Sequence, residues 1–142
     1  MHGFEPIPIT AGGTIRPSRF IKISTAGDFA ALEADANEAT IGISSDAPYL
    51  SPTPGASTDA ANTTYPQFKY HPVGTVALLE IGSGGVTRGA NVKSDADGKG
   101  VLAATTGTTA QNVGAIALET ASEGEFAKVL IVDRPQLYPA LA

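Results

Sequence analysis

Residues 16–44, R-P-S-R-F-I-K-I-S-T-A-G-D-F-A-A-L-E-A-D-A-N-E-A-T-I-G-I-S, decide the fold, because residues 88–117, R-G-A-N-V-K-S-D-A-D-G-K-G-V-L-A-A-T-T-G-T-T-A-Q-N-V-G-A-I-A, run through the same order again. Arg16 falls on Arg88, Lys22 on Lys93, Gly27 on Gly98, Leu32 on about Leu102 and Gly42 on Gly114, with slips of one residue. Each copy reads as Arg, an Ile-Lys or Val-Lys strand, a Gly turn, a Leu-Ala stretch, a polar turn, and a closing Ile-Gly or Val-Gly strand. Two copies are too few for a solenoid, whose units need several neighbours to bury a core. They suit one β domain built from two related halves. The repeat also arbitrates the ambiguous stretch after Asp28, which could cap a helix of Ala, Leu and Glu. Its counterpart, V-L-A-A-T-T-G-T-T-A, is broken by Gly and rich in Thr. Phe29 to Ala34 is therefore read as strand, with room for one helical turn around Asp35 to Ala39.

Outward from this pair, residues 46–68 form an insertion rich in Pro, Ser, Thr and Ala, carrying Tyr49, Leu50, Tyr65 and Phe68. Disordered linkers are poor in aromatic residues, so an ordered loop is expected. Residues 1–14 alternate Phe4, Ile7 and Ile9 with Pro6 and Pro8 before Gly12 and Gly13. Proline removes a donor and holds φ near −65°, which predicts an extended arm unable to sit inside a sheet. A strand over residues 73–81 ends in G-S-G-G, and F-A-K-V-L-I-V at 126–132 closes a domain spanning residues 15–133. Arg134-Pro135 is expected to stop that strand. The tail at 134–142, with Tyr138 and Leu141, is apolar and contains Pro, so both ends read as contact arms. The expected class is all-β, a small antiparallel barrel or sandwich of two related halves with extended N- and C-terminal arms.

Composition narrows the function. At 142 residues the chain is one domain by length, but its 42% apolar content leans on Ala, aromatics reach only 6%, and Trp is absent. Burial stabilises by about 25 cal/mol per Å². An Ala-rich core therefore gains from an oligomer that shares burial. A net charge of −5 argues against nucleic acid as partner, and the absence of Cys removes disulfides, thiolate chemistry and Cys-ligated zinc together. With no long apolar run and no basic start before an apolar segment, neither a membrane partner nor secretion is expected, and the chain is placed in a reducing aqueous compartment.

Catalytic constellations are not met. His2 and His71 stand apart, and G-I-S-S-D at 42–46 is no nucleophile elbow. S-D-A-D-G-K-G at 94–100 resembles the start of a calcium loop, with Gly100 at the sixth place counted from Asp95. Lys99 occupies the fifth place, however, and Thr106 stands where the bidentate carboxylate belongs, so a β-turn is the better reading. No metal, cofactor or catalytic residue is assigned, and the protein is not expected to be an enzyme. Arg16, Arg19 and Lys22 are the densest basic cluster, read either as a solvated strand face or as a salt-bridging face toward an acidic partner.

Residues 73–132 resemble the capsid decoration, or cement, proteins of tailed bacteriophages. The likeness rests on a G-x-x-V-A-type strand, a turn of the form [ST]-x-G-x-x-V-x-x-D-x-x-G, a small-residue stretch, an I-G-x-A strand and a closing K-V-x-L strand. Val86 to Val132 fit that run, and residues 14–44 fit a weaker copy. The resemblance implies a small β-barrel protein, commonly trimeric, on the outside of an icosahedral head, bridging major capsid protein subunits. It implies localisation to the virion exterior and carries over no catalytic residues. The Pro-rich arm and the 46–68 insertion depart from the family pattern. Partner contacts are accordingly expected at Phe4, Ile7, Ile9, Arg16, Arg19, Tyr49, Tyr65, Phe68, Tyr138 and Leu141. Two other classes stay open. One is a receptor- or carbohydrate-binding β domain of a virion or surface protein, for which four Tyr and no Trp are thin material. The other is a carboxylate-only enzyme drawing on Glu33, Asp35, Glu119, Glu123 and Glu125.

Overall fold

A computed structural model describes residues 6–45 and 67–136. Ten strands and no helix run along these residues: β1 (Ile7–Ala11), β2 (Phe20–Ile23), β3 (Ala30–Glu33), β4 (Gly42–Ser44), β5 (Gln67–Pro72), β6 (Val76–Glu80), β7 (Asn91–Ser94), β8 (Gly100–Leu102), β9 (Gln111–Ala117) and β10 (Phe126–Gln136). The all-β expectation holds. The strands form two units, a closed barrel in the order β1-β3-β2-β4-β5 and a five-stranded sheet in the order β6-β10-β9-β7-β8. A bridge from Ile81 to Gly100, with the Gly82 N–H donating to the Gly100 carbonyl at 2.8 Å, curls that sheet around its own core.

The two similar stretches share one strand order, β3-β2-β4 in the barrel and β8-β7-β9 in the sheet. Their central strands correspond as the lysines suggest, since Lys22 faces Leu32 and Lys93 faces Val101. The flanking strands are offset by one residue from the sequence match. Ile21 pairs with Gly42 where Val92 pairs with Ala115, so Gly42 corresponds to Ala115 rather than Gly114, and Leu32 to Val101 rather than Leu102. A slip of one residue exchanges the two faces of a strand, and only the inward packing selects between them.

β2 shows that packing directly. Phe20 and Ile21 point to opposite sides and both are fully buried. Phe20 joins Ile43, Leu79, Ile81, Val92, Val129 and Ile131 in the larger core, whereas Ile21 joins Ala11, Ile15, Ala31 and Phe68 in the smaller one. Fully burying a Phe or Ile side chain stabilises by roughly 1.5–3 kcal/mol. One four-residue strand thus belongs to both cores. Ala supplies ten of the 22 buried apolar residues described, which limits the area each contributes.

Two sets of ties lock the units together. At one, the Phe20 N–H donates to the Gly98 carbonyl at 2.7 Å, and the Glu80 N–H donates to the Ser18 carbonyl at 2.9 Å. Gly98 sits at φ 76° in the β7–β8 turn, a conformation glycine adopts without cost. At the other, the Asn37 N–H donates to the Ser94 carbonyl, its Nδ2 donates to the Ala110 carbonyl, and Asn112 donates from both its backbone N–H and its Nδ2 to Asn37.

Three expectations about the ends and the insertion are corrected. The stretch read as an arm unable to enter a sheet contains β1, which pairs antiparallel with β5 and parallel with β3. Thr10 directs its N–H to the Phe29 carbonyl on the β3 side. By alternation, Pro6 and Pro8 turn their donorless nitrogens to that same side, where β3 has not yet begun. Arg134-Pro135 does not stop β10. A register shift after Ile131 lets it run on against β9, at a height where β6 has ended and the strand has become an edge that tolerates Pro. Finally, Gln67 and Phe68, assigned to the insertion, begin β5, which closes the barrel against β1. The residues expected to allow a helical turn, 35–39, form a turn with Asn37 at φ 56°.

Candidate functional site

The basic cluster is held by carboxylates of the same chain. Arg16 donates from Nε to both carboxylate oxygens of Glu33 at 3.1 and 3.0 Å and from Nη2 to Oε1 at 2.6 Å, while its backbone N–H reaches Oε2 at 2.6 Å. Arg19 is buried, donating to Glu80 Oε1 from Nε at 3.2 Å and Nη2 at 3.0 Å, and to the Asp97 carbonyl from Nη1 at 2.8 Å. Lys22 lies 3.0 Å from Asp35 Oδ2 and 2.6 Å from Glu38 Oε2. Hydrogen bonding to Glu33 raises the Arg16 pKa, and hydrogen bonding to Glu38 and Asp35 raises that of Lys22. All three cations are neutralised within the chain, and the Arg19 side chain is buried while that of Arg16 stays 41% exposed. The carboxylates concerned lie 17, 61 and 13 residues from their cations, too far apart in sequence to be matched by patterning.

The other expected contacts divide. Ile7 is exposed on β1, and Ile9 packs against the smaller core. Phe68 is 3% exposed within that core, so its assignment as a surface contact is corrected: on β5 its side chain fills the barrel. Phe4, Tyr49, Tyr65, Tyr138 and Leu141 lie outside the described residues.

Residues 94–100 form the expected turn. Asp95 Oδ1 accepts the N–H groups of Asp97 at 2.8 Å and Lys99 at 2.9 Å, which occupies the side chain with its own loop. Among the described residues no group of three or more His, Asp or Glu is arranged to hold a metal ion, and no helix is long and apolar enough to cross a membrane. Of the carboxylates considered for an enzyme, Glu33 is held by Arg16 and Asp35 by Lys22. Glu119 accepts the Lys128 N–H, and Glu125 accepts the Ser122 N–H. A groove of about 740 Å³ runs between Lys22, Ile23, Leu32 and Ile41 of the barrel and Asn112 and Asp133 of the sheet.

Among the described residues, large apolar side chains stand out on the surface. Val76, Leu118 and Phe126 are exposed on the outer face of the sheet, beside half-buried Leu78, Ile116 and Leu130 and crossed by Lys128. On the barrel, Ile7, Ile23, Phe29 and Val73 are exposed, with Phe29 at 89%. Sequence reasoning missed Ile23 and Phe29, because an apolar residue at a strand end is assigned to the core by default. The T-A-G-D turn before Phe29 is the one local signal that could have moved it outward.

No protein-family model matches the chain, and no curated protein matches it in sequence. Among solved structures it is similar to the head fiber gp8.5 N base of bacteriophage phi29, with a TM-score of 0.60 and 20% sequence identity over 89% of this chain and 92% of that one. What the two share at that identity is the fold.

Proposed function

We propose that this chain is a structural protein of a phage virion, and more narrowly a non-enzymatic decoration protein on the outside of an icosahedral head, bridging major capsid protein subunits. The observation that carries this reading is the fold held in common, over about nine-tenths of both chains, with a protein named as the base of a phage head fiber. The strand punctuation of residues 73–132 points the same way. So does the chemistry: the basic cluster is consumed internally, and large apolar side chains are exposed on both the barrel and the sheet. A homotrimer suits a core in which Ala is so frequent, and it suits attachment, because once one subunit docks the others bind at high effective concentration.

The test uses heads assembled without this protein from the shell protein encoded in the same genome. Added back, the purified chain should co-sediment with the heads, raise their survival on heating, and behave as a trimer by light scattering. A chain that does not bind such heads overturns the virion reading. One that binds without protecting them is a decoration without a cementing role.

A further inference from the structure

We infer that the free rim of the barrel, built on Phe29 and Ile23 with Ile7 and Val73 beside them, is the surface by which this chain attaches to the shell protein beneath it, an inference that rests on the virion reading above. Strand register brings the four residues together. β1 begins at Ile7, opposite Tyr70 near the end of β5, and β3 begins beside Thr10 of β1, immediately after Phe29. β2 ends at Ile23, opposite Ala31 of β3, and β4 begins at Gly42, opposite Pro72, the residue before Val73. All four therefore lie at one end of the barrel. They are the exposed large apolar residues of its described strands and of the loops that follow or precede them, at 42% for Ile7, 63% for Ile23, 89% for Phe29 and 47% for Val73.

Phe29 supplies the independent observation. It stands at φ 52°, in the left-handed region where a bulky side chain is an outlier. The backbone is held there because the Phe29 carbonyl accepts the Thr10 N–H at 3.1 Å, which starts the parallel pairing of β1 with β3. Gly or Asn would keep that bond with less strain. The ring cannot offset the strain by packing, since it is almost wholly exposed. Strain of this kind at an exposed residue points to a role for the side chain outside the folded chain.

Size and charge identify the occupant. Four side chains exposed by 42–89% make a patch of the size that functional sites show, but short of the roughly 800 Å² that each partner gives to a stable interface. The rim alone therefore does not sustain a dimer of this chain in solution. It suits one contact among several made to a large assembly. Residues 7–9, 24–29, 39–41 and 71–73 carry two titratable side chains, Asp28 and His71, and of the charged groups lining the groove beside Ile23, Lys22 and Glu38 are paired with each other, so the complementary surface is chiefly an apolar recess on a protein.

The experiment compares binding to the same heads for the native chain, Phe29→Gly, the double variant Phe29→Gly/Ile23→Thr, and Leu118→Ser on the outer face of the sheet. Phe29→Gly relieves the left-handed strain, so its melting temperature should equal or exceed the native value while apparent affinity falls roughly tenfold or more. The double variant should bind more weakly still, and Leu118→Ser should bind as the native chain does. Native-like binding by the double variant overturns the rim assignment. So does loss confined to Leu118→Ser, which would move the contact to the sheet. A native chain that does not bind at all sinks the virion reading, and this inference with it.

Discussion

Glu80→Gln removes the charge that faces Arg19, a guanidinium whose side chain is only 8% exposed, while keeping the shape of the residue. Removing one partner of a well-buried pair costs about 3–5 kcal/mol, because the other charge is left without compensation. Here the cost is smaller. Glu80 is 20% exposed, Arg19 still donates to the Asp97 carbonyl at 2.8 Å, and glutamine still offers an oxygen, which brings the expectation to about 2–3 kcal/mol. An unfolding entropy of about 2.1 cal/mol/K per residue gives a chain of 142 residues about 0.3 kcal/mol/K, so melting should fall by about 7–10 °C. Arg19→Met should cost about 2 kcal/mol, since Glu80 keeps Lys99 at 3.5 Å. In Arg19→Met/Glu80→Gln no buried charge is stranded, since Lys99 is left open to solvent, and the total should be at least about 1 kcal/mol less than the two single losses together. Urea denaturation followed by circular dichroism measures all three, with an unchanged m value as the check that only stability has moved. Single losses below about 0.5 kcal/mol, or strict additivity in the double variant, would refute the argument that this pair is a desolvated tie between barrel and sheet.

Two further predictions follow from packing and titration. In Gly114→Ala the new Cβ would lie 2.6 Å from Thr40 Oγ1 and 2.8 Å from Cε1 of the fully buried Phe20, so overpacking should cost about 1–3 kcal/mol, read as a lower urea midpoint. Glu38 is held below its ordinary pKa of 4.5 by the Lys22 ammonium and then by the Asp35 N–H. Its folded pKa is depressed, so its contribution is present above pH 4.5 and lost as pH falls through the folded value. Because the pair is partly exposed to solvent, at 23% for Lys22 and 37% for Glu38, Glu38→Gln should cost less than about 1 kcal/mol at pH 7, and the difference from the native chain should vanish in acid. The raised pKa of Lys22 acts at the other extreme. Its share is complete below its ordinary pKa of 10.5 and is lost as pH rises through the folded value. A gap that widens toward low pH would show that the Glu38 carboxylate is not stabilised by Lys22.

Local chemistry was legible in the sequence. Alternation at Ile41 and Ile43, the Thr-Ala-Gly-Asp turn, and the Asp-Ala-Asp-Gly turn marked strands and their breaks, and comparison of two similar stretches settled strand against helix after Asp28. These features depend on backbone preferences within a few residues, so a linear reading reaches them. Tertiary structure decided everything that depends on which strands meet. It turned a proline-bearing arm into β1 because its donorless nitrogens face an unpaired side. It placed Phe68 inside the barrel because β5 closes on β1, and it matched Arg19 to a carboxylate 61 residues away. It also left Phe29 outside, on a backbone held by Thr10, where hydropathy alone would have buried it. Sheet pairing joins segments with no sequence relation to one another, so the side chains turned outward are known only once the neighbours of every strand are known.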